Sequence, residues 1–284
     1  MSYKTILVHA DHSPHMEQRV RAAALAGDNI NTHIAGVAVT GISHYLRLSE
    51  RVRQQGGQGT EALHQEIGRL HKSAEAALAR FEETARAAGI HDFESRLVAD
   101  EELNGLSLHA RYSDLTILTQ LDPDEPANPM ADDLPEYVAV SSGRPVLVLP
   151  HRYKVEALAA NPLLAWDGGL EATRVLHHAL PLLERVGKVD ILILRHGMKH
   201  AGPADAAGGD IVRYLAHHDV AANVLQEHDS HGDFGSTLLA CCNTVRSDLL
   251  VMGCYGHSRF QEMLRGGVTR TVLEQMTIPV LMAH

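Results

Sequence analysis

Four glycines near the C-terminus carry the clearest chemical signal in this chain of 284 residues. The apolar run Leu249 to Met252 leads into Gly253 and Gly256. After nine more residues come Gly266 and Gly267, and a helical pattern opens at Val268 and Thr269. A buried strand, a glycine-punctuated loop and a helix start in series suit a phosphate group. Glycines let backbone N–H groups approach an anion, and the helix N-terminus adds partial positive charge. The spacing G-x2-G-x9-G is neither the dinucleotide fingerprint G-x-G-x-x-G nor a P-loop, because no Gly-Lys-Ser/Thr follows.

Histidines offer a second kind of chemistry. The chain holds 20 of them, clustered at His9-Ala10-Asp11-His12-Ser13-Pro14-His15 and at His228-Asp229-Ser230-His231-Gly232-Asp233. Each cluster, expected in a loop after a strand, pairs imidazoles with carboxylates. His228, His231 and Asp233 are thus candidate zinc-type ligands. No pair has the spacing of a zinc signature, so solvated or hydrogen-bonded histidines are the simpler expectation. His177-His178 and His217-His218 fall in helical patterns and are expected at the surface. Cys241 and Cys242 fall on a helix, and Cys254 lies inside the glycine loop, where a helix N-terminus could lower a thiol pKa. Burial as small residues is the simpler expectation there too. Ser107 and Ser258 lack a nucleophile-elbow context. No catalytic constellation stands out, and at most a slow ATP hydrolysis is expected.

Composition narrows the classes of function. With 45% hydrophobic residues but only 4% aromatic, the cores must be built from Leu, Val, Ile and Ala. Net charge is −10, and residues 1–150 hold 13 Lys and Arg against 21 Asp and Glu. No basic stripe is present for nucleic acid. No apolar run reaches the roughly 20 residues that span a bilayer. The first residues lead straight into a strand-like run, and three cysteines fit a reducing compartment, so a cytoplasmic protein without a secretory signal is expected.

These residues must be positioned by elements, and the elements repeat. Ser113-Asp114-Leu115 recurs as Ser247-Asp248-Leu249, and Pro145-Val146-Leu147 as Pro279-Val280-Leu281, both 134 residues on. Each copy opens with a strand running into Asp, at Asp11 and at Asp167, 156 residues apart. Helical patterns follow with related spacing: Glu17, Arg19 and Val20, then Glu171, Arg174 and Val175. Strands are expected near 4–10, 33–40, 93–98, 114–119 and 145–149, then near 162–166, 189–194, 220–226, 248–252 and 279–283. Leu63, Ile67, Leu70, Ala74, Leu78, Phe81 and Ala85 form one apolar stripe, read as an elongated crossover helix. Short Val/Ile/Leu-rich strands alternating with helices predict an α/β fold of two tandem flavodoxin-like, Rossmann-like units, each a five-stranded parallel sheet covered on both faces. The boundaries expected are 1–150 and 161–284, with a linker at 151–160.

The strand-Asp openings, the Ser-Asp-Leu strands, the glycine loop and the closing Pro-Val-Leu strands together resemble a tandem pair of universal stress protein (UspA) domains. Only the glycine loop is specific to that family; the rest gains weight from order and repetition. The resemblance implies a strand order of 3-2-1-4-5 and an ATP- or AMP-class nucleotide, with or without Mg²⁺, in the second unit. Strands 1 and 4 meet at the topological switch point, where α/β sheets bind ligands. By that analogy Asp167 and the main chain near Ala165 would meet adenine or ribose. Gly253, Gly256, Gly266 and Gly267 would line the phosphates, with Val268 and Thr269 starting the helix that points at them. In the family a Ser or Thr follows the glycine spacing; here Gly267 stands there, which should cost about 1.5–3 kcal/mol of binding. Thr269, Ser258 or Arg259 are candidates to compensate. The corresponding first-copy loop, Asp122 to Glu136, holds six acids, no base and four prolines, so ATP should not bind there. The resemblance also implies that the closing strands, Val146–Leu149 and Val280–Met282, pair within the chain as in a dimer of single-domain relatives. A homodimer of the whole chain is a further expectation.

Three functional readings follow. One is a stress-response protein regulated by an adenine nucleotide in its second unit. Another is an interaction or scaffold protein that binds no nucleotide. The third is a protein using a metal or another small ligand through its His-rich loops.

Overall fold

The computed structural model describes residues 2–28, 31–43, 45–46, 60–124, 133–196, 203–229, 232–256 and 267–284. Five strands come from the first half: β1 Thr5–His9, β2 His33–Val39, β3 Phe93–Val98, β4 Leu115–Thr119 and β5 Val146–Leu149. Five come from the second: β6 Pro162–Ala165, β7 Lys188–His196, β8 Ala221–Asp229, β9 Leu249–Gly253 and β10 Val280–Ala283. They form one ten-stranded sheet in the order β3-β2-β1-β4-β5-β10-β9-β6-β7-β8. Each half therefore has the order expected, and each pairs in parallel throughout. At the centre β5 and β10 pair antiparallel, with Leu147 opposite Leu281.

The strands obey a two-sided pattern because helices cover both faces. Ile6, Val8, Leu115, Ile117, Leu147, Leu149, Leu249, Val251 and Leu281 point to one core. Leu7, Leu118, Val146, Val148, Leu250, Met252, Val280 and Met282 point to the other. The first core is closed by α1 Met16–Ala26, α2 Thr60–Ala87, α5 Leu170–Val186 and α6 Pro203–Ala216. The second is closed by α3 Glu102–Ala110, α4 Leu134–Ser142, α7 Phe234–Thr244 and α8 Val268–Gln275. Both cores draw residues from both halves.

The apolar stripe lies on α2, which crosses from β2 to its parallel neighbour β3. Ala74, Ala77, Leu78, Phe81 and Ala85 are buried, whereas Leu63, Ile67 and Leu70 are only half-buried. Gly36 of β2 lies under Phe81: a Cβ there would sit 2.3 Å from the ring, so only glycine lets the helix lie this close.

The repeated Ser-Asp-Leu has a common structural task. The Asp114 carboxylate accepts from the backbone N–H groups of Lys4 and Thr5, at 2.8 and 3.0 Å. The Asp248 carboxylate accepts from those of Ala160 and Asn161, both at 2.7 Å. Each aspartate thus pins the entry of its half's first strand beside the fourth. The segment 150–161 is packed rather than loose, with Val155, Leu158 and Ala159 buried in the first core and the Val155 N–H donating to Gln18 Oε1 at 2.8 Å.

Candidate functional site

In the second half, β6 and β9 are parallel neighbours, and the chain leaves both at the same sheet edge. Ala165 is the last residue of β6. Asp167 follows, exposed, and its Oδ1 accepts from the Gly169 N–H at 2.8 Å. Gly168, at φ +74°, completes this tight turn, and Gly169 then caps α5. The first half makes the same turn 156 residues earlier, where Asp11 Oδ1 accepts from the Ser13 N–H at 3.1 Å.

Gly253 ends β9 against the start of α5. A Cβ on it would come within 2.7 Å of Glu171 Cβ and 2.8 Å of the Ala172 nitrogen, so the close approach of strand and helix requires glycine. A Cβ on Gly256 would stand 3.1 Å from Glu171 Oε2. Between the two, Tyr255 adopts φ +55°, a left-handed conformation that a bulky residue takes only when its surroundings impose it. Gly267 is the N-cap of α8; among the described residues no side chain caps this helix, and none lies within 4 Å of where a Gly267 side chain would begin. Val268 and Thr269 form the first turn of α8, with Thr269 buried. Because α8 runs back to feed β10, parallel to β9, its N-terminus lies at the sheet edge where β9 ends. Gly266, Ser258 and Arg259 lie outside the described residues.

Glu171, expected from the sequence only as part of a helical pattern, belongs to this edge. It is 7% exposed, it faces both Gly253 and Gly256, and its Oε1 is buried with no hydrogen-bond partner among the described residues. Trp166 Nε1, at the end of β6, is a buried donor in the same state. Acids also surround the glycine loop from the other half: Tyr255 Oη donates to Glu136 Oε1 at 3.4 Å. Burial, and then Asp133, push the Glu136 carboxyl above its usual range. Burial, Glu136 and Glu171 push the Cys254 thiol up to about 12, so it stays protonated and inert rather than activated.

At the corresponding edge of the first half, side chains bridge one another. Arg19, only 2% exposed, is ion-paired with Asp11 and donates to Thr119 Oγ1 at 3.0 Å and Ser13 Oγ at 3.2 Å. His15 Nε2 meets Asp122 Oδ2 at 2.9 Å. Thr119 and Asp122 stand 134 residues before Gly253 and Gly256. Burial aligns the helices: Met16, Arg19, Val20 and Ala23 match Ala172, Val175, Leu176 and Ala179, all buried and all 156 apart. That alignment replaces the pairing of Glu17 with Glu171 suggested by residue type and pairs His15 with Glu171 instead. The constant offset from Asp11 to Asp167, carried into the helix, was the signal that could have found Glu171. Residues 125–132 of the acidic loop lie outside the described residues.

Two of the candidate metal ligands, His228 and Asp233, have separate settings in the fold. His228 is exposed near the end of β8, which runs through Asp229 instead of ending before the cluster. Asp233 caps α7 by accepting from the Ser236 N–H at 3.2 Å. His231 lies outside the described residues. Among the described residues no group of three or more His, Cys, Asp or Glu could hold a metal ion.

Residues 161–284 match the model of the Universal stress protein family. The whole chain superposes on a universal stress protein from Archaeoglobus fulgidus DSM 4304, covering 98% of this chain and 95% of that one at 17% identity and a TM-score of 0.73. A candidate universal stress protein from Pseudomonas aeruginosa UCBPP-PA14 overlaps 99% of this chain and 93% of its own, at 12% identity and a TM-score of 0.59. A universal stress protein in complex with cAMP overlaps 53% of this chain and 99% of its own, at 20% identity and a TM-score of 0.37. No curated protein matches the sequence. No helix among the described residues is long and apolar enough to cross a membrane. Residues 161–284 are therefore a domain of the universal stress protein family, set within a chain whose whole fold is shared with solved structures of that kind.

Proposed function

We propose that this protein is a stress-response regulator whose second half, residues 161–284, binds an adenine nucleotide of the ATP or AMP class in the crevice between β6 and β9. One contrast carries the reading. In the first half Arg19 pairs with Asp11 and His15 with Asp122 across this edge, whereas in the second Gly253 and Gly256 put no side chain at the places of Thr119 and Asp122, and no described atom lies in the Cβ direction of Gly267. The start of α8 adds N–H donors for an anionic group. Residues 1–150 would then be a partner unit that binds no nucleotide. The protein's proposed role is signalling by occupancy.

Equilibrium dialysis with labelled AMP and ATP against wild type and Gly256→Val tests the site. The account expects retention by wild type and at least about tenfold weaker retention by the variant. Equal retention by both would remove the glycine loop from the account. A second reading, an interaction protein that binds no nucleotide, draws support from the Glu171 carboxylate facing Gly256. It expects no retention by either protein.

A further inference from the structure

Resting on the nucleotide reading above, we propose that Glu171 sets the ligand class. The crevice takes a compound that donates a hydrogen bond to this carboxylate and carries little negative charge: an adenine nucleoside or its monophosphate in preference to the triphosphate. The Glu171 side chain is buried between Gly253 and Gly256, and its Oε1 is unpartnered. A buried acceptor left unmatched is costly, so a site that holds one is completed by a donor.

The first half closes the equivalent contact internally. His15, at the position of Glu171, meets Asp122, at the position of Gly256, with 2.9 Å between nitrogen and oxygen. In the second half the place of Asp122 has no side chain and no described residue donates to Glu171 Oε1, which opens that contact to a bound ligand. Ribose hydroxyls and the adenine amino group are the donors an adenosine compound offers. Charge points the same way. Glu136 and Asp133 approach the loop from the neighbouring half, and Arg270 spends its Nε on Glu274 at 2.7 Å. Every phosphate added to the ligand increases repulsion from these carboxylates.

The test is calorimetric titration of the full chain with adenosine, AMP and ATP, each with and without Mg²⁺, repeated on Glu171→Gln. Wild type should bind adenosine or AMP at least about tenfold more tightly than ATP, and Glu171→Gln should narrow that gap at least about tenfold. The wild-type ranking is informative even if the variant fails to fold, which its circular dichroism would reveal. ATP binding as tightly as AMP, or Mg²⁺-ATP binding more tightly and losing affinity in the variant, would overturn the inference and leave the nucleotide reading standing. Wild type binding none of the three would overturn both.

Discussion

Two buried charged side chains, Arg19 and Glu171, separate the crevices of the two halves. Arg19 is matched by Asp11, and that match carries a pH dependence. Burial pushes the Asp11 carboxyl up, but the Arg19 guanidinium, His9 and Ser13 outweigh it and hold the group below the ordinary carboxylate range. A depressed folded-state pKa means that stability is fully present above the unfolded value of about 3.9 and is lost as pH falls through the folded value. Asp11→Asn should therefore cost about 3 kcal/mol near pH 6, the low end for breaking a buried pair because Asp11 is 28% exposed. The variant should also lose less stability than wild type between about pH 4 and pH 2. Urea midpoints at both ends of that range check it, and parallel losses would contradict it. The cysteines give a simpler prediction. With the Cys242 and Cys254 thiols each pushed up to about 12, chiefly by burial, neither should react with a disulfide reagent at pH 8 unless the protein is unfolded. Rapid native labelling of Cys254 would revive a redox role for it.

Among the elements, the strands were legible because burial on both faces leaves continuous Val, Ile and Leu runs, and nearly all strand limits agree within two residues. β8 is the exception. It is an edge strand with Gln226, Glu227 and His228 exposed, so its last residues carry no apolar pattern, and its length is set by pairing with β7 up to His196 opposite Asp229. Gly253 was legible as a position that demands glycine, since only glycine permits its contacts with α5. Glu171 was legible only through the offset from Asp11 to Asp167, because residue type suggested a helix alignment two positions away from the one that burial fixes. The clamp by Asp248 shows a repeated motif that serves architecture and not ligand. Asp248→Ala removes the acceptor of two backbone N–H groups and should cost about 1.5–3 kcal/mol, with Asp114→Ala similar. Gly36→Ala should cost at least about 2 kcal/mol, since its Cβ would overlap the Phe81 ring and the ring is closed in by the core. Thermal or urea melts of these three variants test both statements; a Gly36→Ala protein as stable as wild type would show that α2 can move away.

At the scale of the molecule, the antiparallel contact between Leu147 and Leu281 joins two five-stranded arrays into one sheet, and both cores run across the join. Calorimetric unfolding should accordingly show one cooperative transition. Two well-separated transitions would mean that the halves unfold independently despite the shared sheet. The same arrangement brings Glu136 of the first half against Tyr255 of the second, so the first half helps to wall the second crevice although its own is bridged by side chains. A chain built this way should bind one adenine nucleotide, in one place. The most direct measurement is the stoichiometry of AMP binding to the full chain by titration calorimetry. One saturable site per chain, lost in Gly256→Val, is the result this account predicts; two equivalent sites per chain, or no saturable heat at all, would contradict it.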